Sequence, residues 1–151
     1  MTFEELLEQD GKLVYKTKGV SMLPMLHQNR DLVVIYKPAG RLKPYDVALY
    51  KRGASYVLHR VIEVRENDYV IRGDNTYSLE YVPESAVIGG LTSFVRKGKE
   101  ISVEDPAYRF YARFWHAVYP ARYFLLRVKR KLKRILRPIL KPILKPLLRR
   151  K

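Results

Sequence analysis

Three short segments carry side chains that could together perform serine-based hydrolysis. The segment G-V-S-M-L-P at residues 19–24 holds Ser21 between a glycine and a proline, which impose a tight local path. Such a path can expose the hydroxyl and leave its backbone N–H facing a developing oxyanion. L-H-R-V-I places His59 in an apolar run, and R-G-D-N places Asp74 at the exit of the next run. A serine needs a base, and the base needs an orienting group, so the three segments supply a complete catalytic set.

Two acids compete for the role of orienting His59. The exit of one hairpin strand can lie near the middle of its partner, so we predict that Asp74 reaches the imidazole. Glu80, six residues later, is a possible second acid. Asp74 could instead stabilise the turn before Asn75 through side-chain to backbone hydrogen bonds. Likewise, Ser21 could be an ordinary loop serine, and His59 could be a satisfied core histidine.

The neighbours of these residues have predicted roles as well. Gly19, Met22 and Pro24 are expected to form the substrate and oxyanion neighbourhood of Ser21. Arg60 and Arg72 are interpreted as surface partners on their strands. His27, close after the serine segment, is expected to be a loop residue.

The composition excludes other kinds of chemistry. The sequence contains no cysteine, so thiol catalysis, disulfides and cysteine-based metal sites are ruled out. Its three histidines have no ligand-like spacing, which argues against a histidine metal site. No metal and no cofactor are predicted.

The charge is distributed unevenly along the 151 residues. Residues 1–108 hold all 15 acidic residues and 15 of the 30 basic ones, and residues 109–151 hold the other 15 basic residues. The sequence therefore combines a neutral body with a strongly cationic tail. This pattern excludes an evenly basic globule that binds nucleic acid over its whole surface.

The body is predicted to be a small, mostly antiparallel β domain. A Thr2–Glu5 capping box predicts a helix near residues 3–9 that stops at Gly11. Runs rich in valine, isoleucine and tyrosine, separated by glycine, proline and asparagine clusters, predict strands. The predicted strands are Leu13–Lys18, Asp31–Tyr36, Asp46–Lys51, Tyr56–Val64, Tyr69–Arg72 and Ala86–Val95. R-E-N-D at residues 65–68 predicts a hairpin turn.

The composition changes after residue 105, which gives predicted domains of residues 1–105 and 106–151. Residues 108–126 are rich in aromatic side chains and arginine, and residues 122–137 place aliphatic residues at helical spacing. Then the unit cation-proline-aliphatic-aliphatic repeats three times over residues 137–148. Because each proline inside a helix costs about 3 kcal/mol, we expect this repeat to be kinked or extended rather than a regular helix.

The tail could bind a membrane surface, nucleic acid or a protein partner, or it could be a solvated segment with no partner. Clustered cations attract anionic lipid and also phosphate backbones. The aliphatic pairs favour an anionic membrane surface over nucleic acid, because burial in the lipid interface gives them a use. No stretch of about 18 uncharged apolar residues predicts a membrane span, and the acidic N-terminus is not a signal peptide.

The motifs together resemble the signal peptidase I family, in the Ser–His branch found in archaea and the endoplasmic reticulum. G-V-S-M-L-P is similar to the family's serine box, and K-P-Y-D-V-A-L-Y to its G-D-x-V segment with Tyr45 in place of glycine. H-R-V-I stands where the bacterial branch has K-R-V-I, and G-D-N matches the box that follows. The resemblance covers about residues 12–97. It implies a LexA-like, signal-peptidase-like β fold and a serine endopeptidase that prefers small side chains before the cut.

The sequence also departs from that family. Family members normally carry an N-terminal transmembrane helix, which is not found here. Met25 stands where the Ser–His branch usually has an acid, and N-R-D at residues 29–31 stands where Gly-Asp is common.

The leading hypothesis is a Ser–His endopeptidase that cuts a precursor, leader or signal peptide near a membrane. One alternative is a catalytically inactive β domain that serves as a scaffold for the basic tail. Another is a self-cleaving repressor-type peptidase, which would need a DNA-binding segment upstream. A basic tail without an export signal favours peripheral association on the cytoplasmic side, whereas anchored relatives act on the outer side.

Overall fold

The computed structural model describes residues 2–148, without the side chains of residue 130 and residues 137–148. The helices are α1 (Phe3–Asp10), α2 (Pro106–Ala117) and α3 (Tyr119–Leu148). The strands are β1 (Lys12–Lys16), β2 (Leu32–Tyr36), β3 (Val47–Arg52), β4 (Ser55–Val64), β5 (Asp68–Arg72), β6 (Glu80–Pro83), β7 (Val87–Arg96) and β8 (Lys99–Ser102), with a 3-10 turn at Glu84–Ala86 before β7. The chain divides into two compact units, Met1–His116 and Ala117–Lys151.

The first unit is built on one antiparallel sheet. Within the described residues it has eight strands in the order β1-β2-β7-β3-β4-β5-β6, with β8 pairing to β7. The mostly β fold predicted from the sequence is therefore confirmed, and all six predicted strands are present within two residues of their expected ends. Strands β6 and β8, of four residues each, were not predicted.

Strand β7 joins the two halves of the sheet. Its first residues pair with β3, while its later residues pair with β2 and β8. Gly89 lies at this junction, where an added Cβ would come within 2.3 Å of the Ile35 side chain. A glycine is needed here because another strand's side chain approaches the backbone closely.

Two apolar clusters pack within the sheet unit. The larger one includes Leu49, Leu58 and Phe94, and the other includes Tyr50, Val61 and Ile71. Because β4 contributes to both clusters, its side chains are buried from Leu58 to Val61. The catalytic candidate His59 thus lies in a strand covered on both faces.

Helix α1 forms as its sequence predicts. The Thr2 hydroxyl accepts from the Glu5 N–H and the Glu5 carboxylate accepts from the Thr2 N–H, which is the reciprocal capping box. Gly11 ends the helix with a left-handed φ of 68°. Leu7 is buried, and Phe3 stacks on Tyr56 of β4 at 4.5 Å.

All of helix α2 except its last residue, Ala117, belongs to the first unit. The division of the chain lies after His116 rather than at residue 105. Tyr108 and Ala112 of this helix are buried, and Tyr108 packs into the larger apolar cluster. The aromatic residues that begin the tail in the sequence are therefore partly core residues.

Helix α3 continues through the proline repeat to Leu148. The expectation that these prolines prevent a regular helix is wrong for this structure. Because the prolines recur every four residues, the hydrogen bonds they remove fall along one side of the helix and leave the other bonds intact. The aliphatic side chains of the repeat lie outside the described residues.

Between Thr2 and Leu148, no helix combines the length and the apolar character needed to cross a bilayer.

Candidate active site

Ser21 lies in a turn whose flanks are held by the core. Gly19, two residues before it, has φ of 83°, a left-handed conformation that glycine adopts most easily. Met22 and Met25, which follow it, are buried in the larger apolar cluster. Ser21 itself is half-buried. The sequence thus holds the serine at the surface of the core without enclosing it.

His59 is buried, with 5% of its surface exposed, and its ring is fixed through one nitrogen. Its Nδ1 lies 3.1 Å from a carboxylate oxygen of Glu80 and 3.2 Å from the Tyr50 hydroxyl. A neutral imidazole that donates from Nδ1 to a carboxylate carries its lone pair on Nε2. This arrangement suits a proton acceptor at Nε2.

Glu80, at the start of β6, is the carboxylate at the imidazole. Arg52 donates to its other oxygen at 3.0 Å. Burial acts to raise the pKa of Glu80, but hydrogen bonds from Tyr50 and Arg52 and the charge of His59 outweigh it, so this pKa lies below its usual value. Glu80 is therefore ionised at neutral pH and can accept the Nδ1–H.

Gly73 brings the serine turn against the imidazole. A Cβ at this position would lie 2.7 Å from the Ser21 carbonyl oxygen and 3.0 Å from His59 Nε2. Both groups therefore border the same small space, which only a glycine leaves open. Asn75, two residues after Gly73, also holds the serine backbone, because the Asn75 N–H donates to the Ser21 carbonyl at 2.7 Å.

The register of β4 and β5 explains why Asp74 is not the residue found at the imidazole. Arg60 lies opposite Arg72, so extending the ladder by one residue sets His59 beside Gly73. Asp74 follows, and alternation directs it to the face that Arg60 occupies. Accordingly, Arg60 donates to the Asp74 carboxylate through Nε at 2.7 Å and Nη2 at 2.8 Å. The predicted contact of Asp74 with the imidazole is thereby corrected: Glu80 takes that place.

The Arg60–Asp74 pair is almost completely buried, with side-chain exposures of 2% and 3%. Burial acts to lower the pKa of Arg60, but the charge and hydrogen bonds of Asp74 raise it well above its usual value. Arg60 also donates to the Tyr45 carbonyl and the Tyr108 hydroxyl. The interpretation of Arg60 and Arg72 as surface residues is wrong, since Arg72 is also buried.

The electrostatics around His59 favour its neutral form. Burial lowers the pKa of His59 below its ordinary value, Arg52 lowers it further, and Glu80 opposes both. A neutral imidazole at physiological pH is the form that can accept a proton.

A cleft of about 650 Å³ opens beside these residues. Ser21, His59 and Glu80 line it together with residues 15–19, 54–58, Thr76 and Ser78, and Phe3, Met22, Leu26 and Arg52 complete its lining. Of the predicted serine neighbours, Gly19 and Met22 border the cleft, while Pro24 lies farther along the turn that contains Ser21. A cleft of this size lies within the range of ligand-binding pockets.

Asn29 and Tyr45 keep a backbone shape that glycine favours. Their φ angles are 59° and 78°. Asparagine adopts this region readily, whereas tyrosine is strained there. Asp31 is fully buried and accepts from the His27 N–H at 2.9 Å.

The structure adds residues that sequence reasoning did not assign to the site. Tyr50 and Arg52 contact the His59–Glu80 pair, and Tyr111 and Trp115 contact Asp74. Alternation along β3 places Tyr50 two residues from Arg52 on the same face, which could have suggested a shared partner. His27 contacts Arg30 and Asp31 in its own turn. Across residues 2–148, as far as their side chains are described, no group of acids and histidines has a metal-binding arrangement.

A scan against protein-family models and a search of curated proteins found no match to this sequence.

Proposed function

We propose that this protein is a serine endopeptidase with a signal-peptidase-like β fold, in which Ser21 is the nucleophile and His59 the general base. The observation that carries the proposal is the position of His59: Glu80 binds its Nδ1, and the Ser21 turn lies beside its Nε2 across Gly73. The four sequence boxes that resemble the signal peptidase I family support it independently.

The proposed reaction follows acyl transfer. His59 Nε2 takes the proton of the Ser21 hydroxyl as the Oγ attacks the scissile carbonyl, and the Ser21 N–H contributes to binding the oxyanion. Collapse of the tetrahedral intermediate breaks the C–N bond, and the imidazolium returns the proton to the leaving amine. Water then hydrolyses the acyl-serine with His59 again as base. Glu80 holds the tautomer and stabilises the imidazolium.

The proposed substrate is a precursor, leader or signal peptide bound in extended form. Strand β1 is the terminal strand of the sheet order, and residues 15–19, which include its end, line the cleft. An edge strand presents backbone donors and acceptors that can pair with an extended peptide. The preference for small side chains before the cut comes from the family resemblance.

We further propose that the enzyme works at an anionic membrane surface. Helix α3 exposes a stripe of apolar side chains: Leu125, Val128, Leu132, Ile135 and Leu136. At about 100° per residue these five positions fall within an arc of about 100°. The acid-free segment from residue 109 onward supplies cations for anionic headgroups.

The test of the catalytic assignment uses a matched pair of serines. Ser21 and Ser78 both line the cleft, so Ser21→Ala and Ser78→Ala remove one hydroxyl each from the same surface. A fluorophosphonate probe should label the wild type and Ser78→Ala at Ser21, as located by peptide mass spectrometry, and should leave Ser21→Ala unlabelled. Peptides cleaved by the wild type should likewise be spared by Ser21→Ala alone. Equal labelling of all three proteins would reject the enzyme in favour of an inactive scaffold.

A further inference from the structure

The turn at residues 73–75 connects the two sides of the candidate active site. On one side, the Asn75 N–H and side-chain amide donate to the Ser21 and Val20 carbonyls at 2.7 and 3.1 Å. On the other side, Asp74 receives two hydrogen bonds from Arg60, which directly follows His59. Through these hydrogen bonds, the turn that contains Asp74 connects the backbone of Ser21 to strand β4, which carries His59.

Helix α2 completes the hydrogen bonding of this turn. The Tyr111 hydroxyl donates to the Asp74 carboxylate at 3.0 Å, and the Trp115 indole N–H donates to the Asp74 backbone carbonyl at 2.9 Å. The two residues are one helical turn apart and their rings stack at 5.9 Å. One face of α2 thus holds both the side chain and the main chain of Asp74.

A neighbouring, exposed face of α2, about 100° around the helix, does not share these contacts. Phe110 and Phe114 stack on each other and are 71% and 50% exposed. The aromatic content of the helix therefore divides into a face that contacts the active-site turn and a face that does not.

We infer that Tyr111 and Trp115 are positioning residues of the active site, which act through Asp74 to set the distance between Ser21 and His59. Neither side chain lines the cleft that holds Ser21. A small displacement of the 73–75 turn would move the Ser21 peptide relative to the imidazole, and a misplacement of about 1 Å can cost about a hundredfold in rate. This inference rests on the proposed serine chemistry.

The experiment uses the full-length protein with single substitutions. Tyr111→Phe removes one hydroxyl and keeps the ring, and Trp115→Phe removes the indole N–H. Phe114→Leu, on the exposed face of α2, is the control. Ser21 acylation by a fluorophosphonate is measured over a range of probe concentrations, which separates the limiting rate from the half-saturating concentration. We expect Tyr111→Phe and Trp115→Phe each to lower the limiting rate about tenfold at an unchanged half-saturating concentration, as for misplacement without loss of binding.

Trp115 provides a second readout, because it is the sole tryptophan of the sequence. An unchanged emission maximum in Tyr111→Phe would show that α2 remains packed, so a lower limiting rate would be due to the lost hydroxyl. The inference would be overturned if Tyr111→Phe and Phe114→Leu had the same limiting rate, whether that rate was unchanged or lowered equally in both variants. If the wild type were not labelled at Ser21, the proposed function itself would fail and take this inference with it.

Discussion

The sheet unit and helix α3 manage charge in opposite ways. Residues 1–116 hold all 15 acidic residues and 17 of the 30 basic ones, whereas residues 117–151 hold the other 13 basic residues. In the sheet unit, charges are buried in specific pairs such as Arg60–Asp74. In α3, the described apolar stripe is exposed. The difference indicates that the role of the first unit depends on the fixed positions of individual side chains. The role of α3 depends instead on its composition and on the spacing of its apolar residues.

The largest expected effect of breaking that geometry is at the base. His59→Ala should lower the limiting rate of Ser21 acylation by about 10³-fold, within the range for loss of a general base. His27→Ala is the matched control, because the described contacts of the His27 side chain are with its turn neighbours Arg30 and Asp31. A near-normal rate in His59→Ala would mean that another group, with a lysine as first suspect, accepts the serine proton.

The next effect is on stability and concerns the buried ion pair. Arg60→Leu leaves the Asp74 carboxylate buried without its cation, so the free energy of unfolding should fall by about 3–5 kcal/mol. Adding Asp74→Asn should recover part of that loss, because the uncompensated charge is then removed. Urea unfolding measures both variants, with Arg65→Leu at an exposed pair as control. No recovery in the double variant would contradict the pairing.

Strand propensity predicted most of the sheet, but the assignment of the orienting acid depended on register. Alternating and apolar runs located β1 to β5 and β7 because each buries several β-branched or aromatic residues. Strand β6 has only four residues, so the sequence did not show that Glu80 begins a strand beside β5. Without that pairing, Asp74 and Glu80 could not be distinguished. The role of α2 was missed because its aromatic residues fit a membrane interface as well as a core.

Substitution of Glu80 has a smaller expected effect than substitution of His59, because Glu80 orients the base and does not itself accept the serine proton. Glu80→Gln should lower the limiting rate about a hundredfold. Because Asp74 is buried, Asp74→Gln is not a suitable comparison. Ser78→Ala, on the same cleft wall, is the control. A Glu80→Gln enzyme with the full wild-type rate would show that the imidazole is held by other contacts, such as that with Tyr50.

The apolar stripe of α3 is tested without changing any charge. Leu132→Ser with Ile135→Ser should weaken co-sedimentation with anionic vesicles about tenfold or more, since burying one such side chain is worth about 1.5–3 kcal/mol. Lys131→Ser with Arg134→Ser is the matched pair that removes cations and keeps the stripe. If only the cation pair weakened binding, α3 would act by charge alone. Binding of RNA or DNA that fell steeply with salt and ignored the apolar pair would favour a nucleic-acid partner instead.

The smallest expected effect is a shift in the pH dependence of Ser21 acylation. The direction of the shift should differ between substitutions of Arg52 and Glu80, which both lie near His59. Acylation should rise with pH through the pKa of His59, because only the neutral ring accepts the serine proton. This pKa lies below the ordinary value, mainly through burial, and the positive charge of Arg52 lowers it further while Glu80 raises it. Arg52→Gln should therefore move the acidic limb of the profile to higher pH, and Glu80→Gln should move it to lower pH.

The Arg52 effect should be small and salt-dependent, because that side chain is 59% exposed and solvent screens its charge. Arg65→Gln is the control, since Arg65 is also exposed but pairs with Glu63. The measurement is the limiting rate of Ser21 acylation from pH 4 to 9, taken as about the range over which an imidazole titrates, at low and high salt. Shifts of the same sign in Arg52→Gln and Glu80→Gln would mean that the profile reports a group other than His59, and the assignment of the base would then have to be revised.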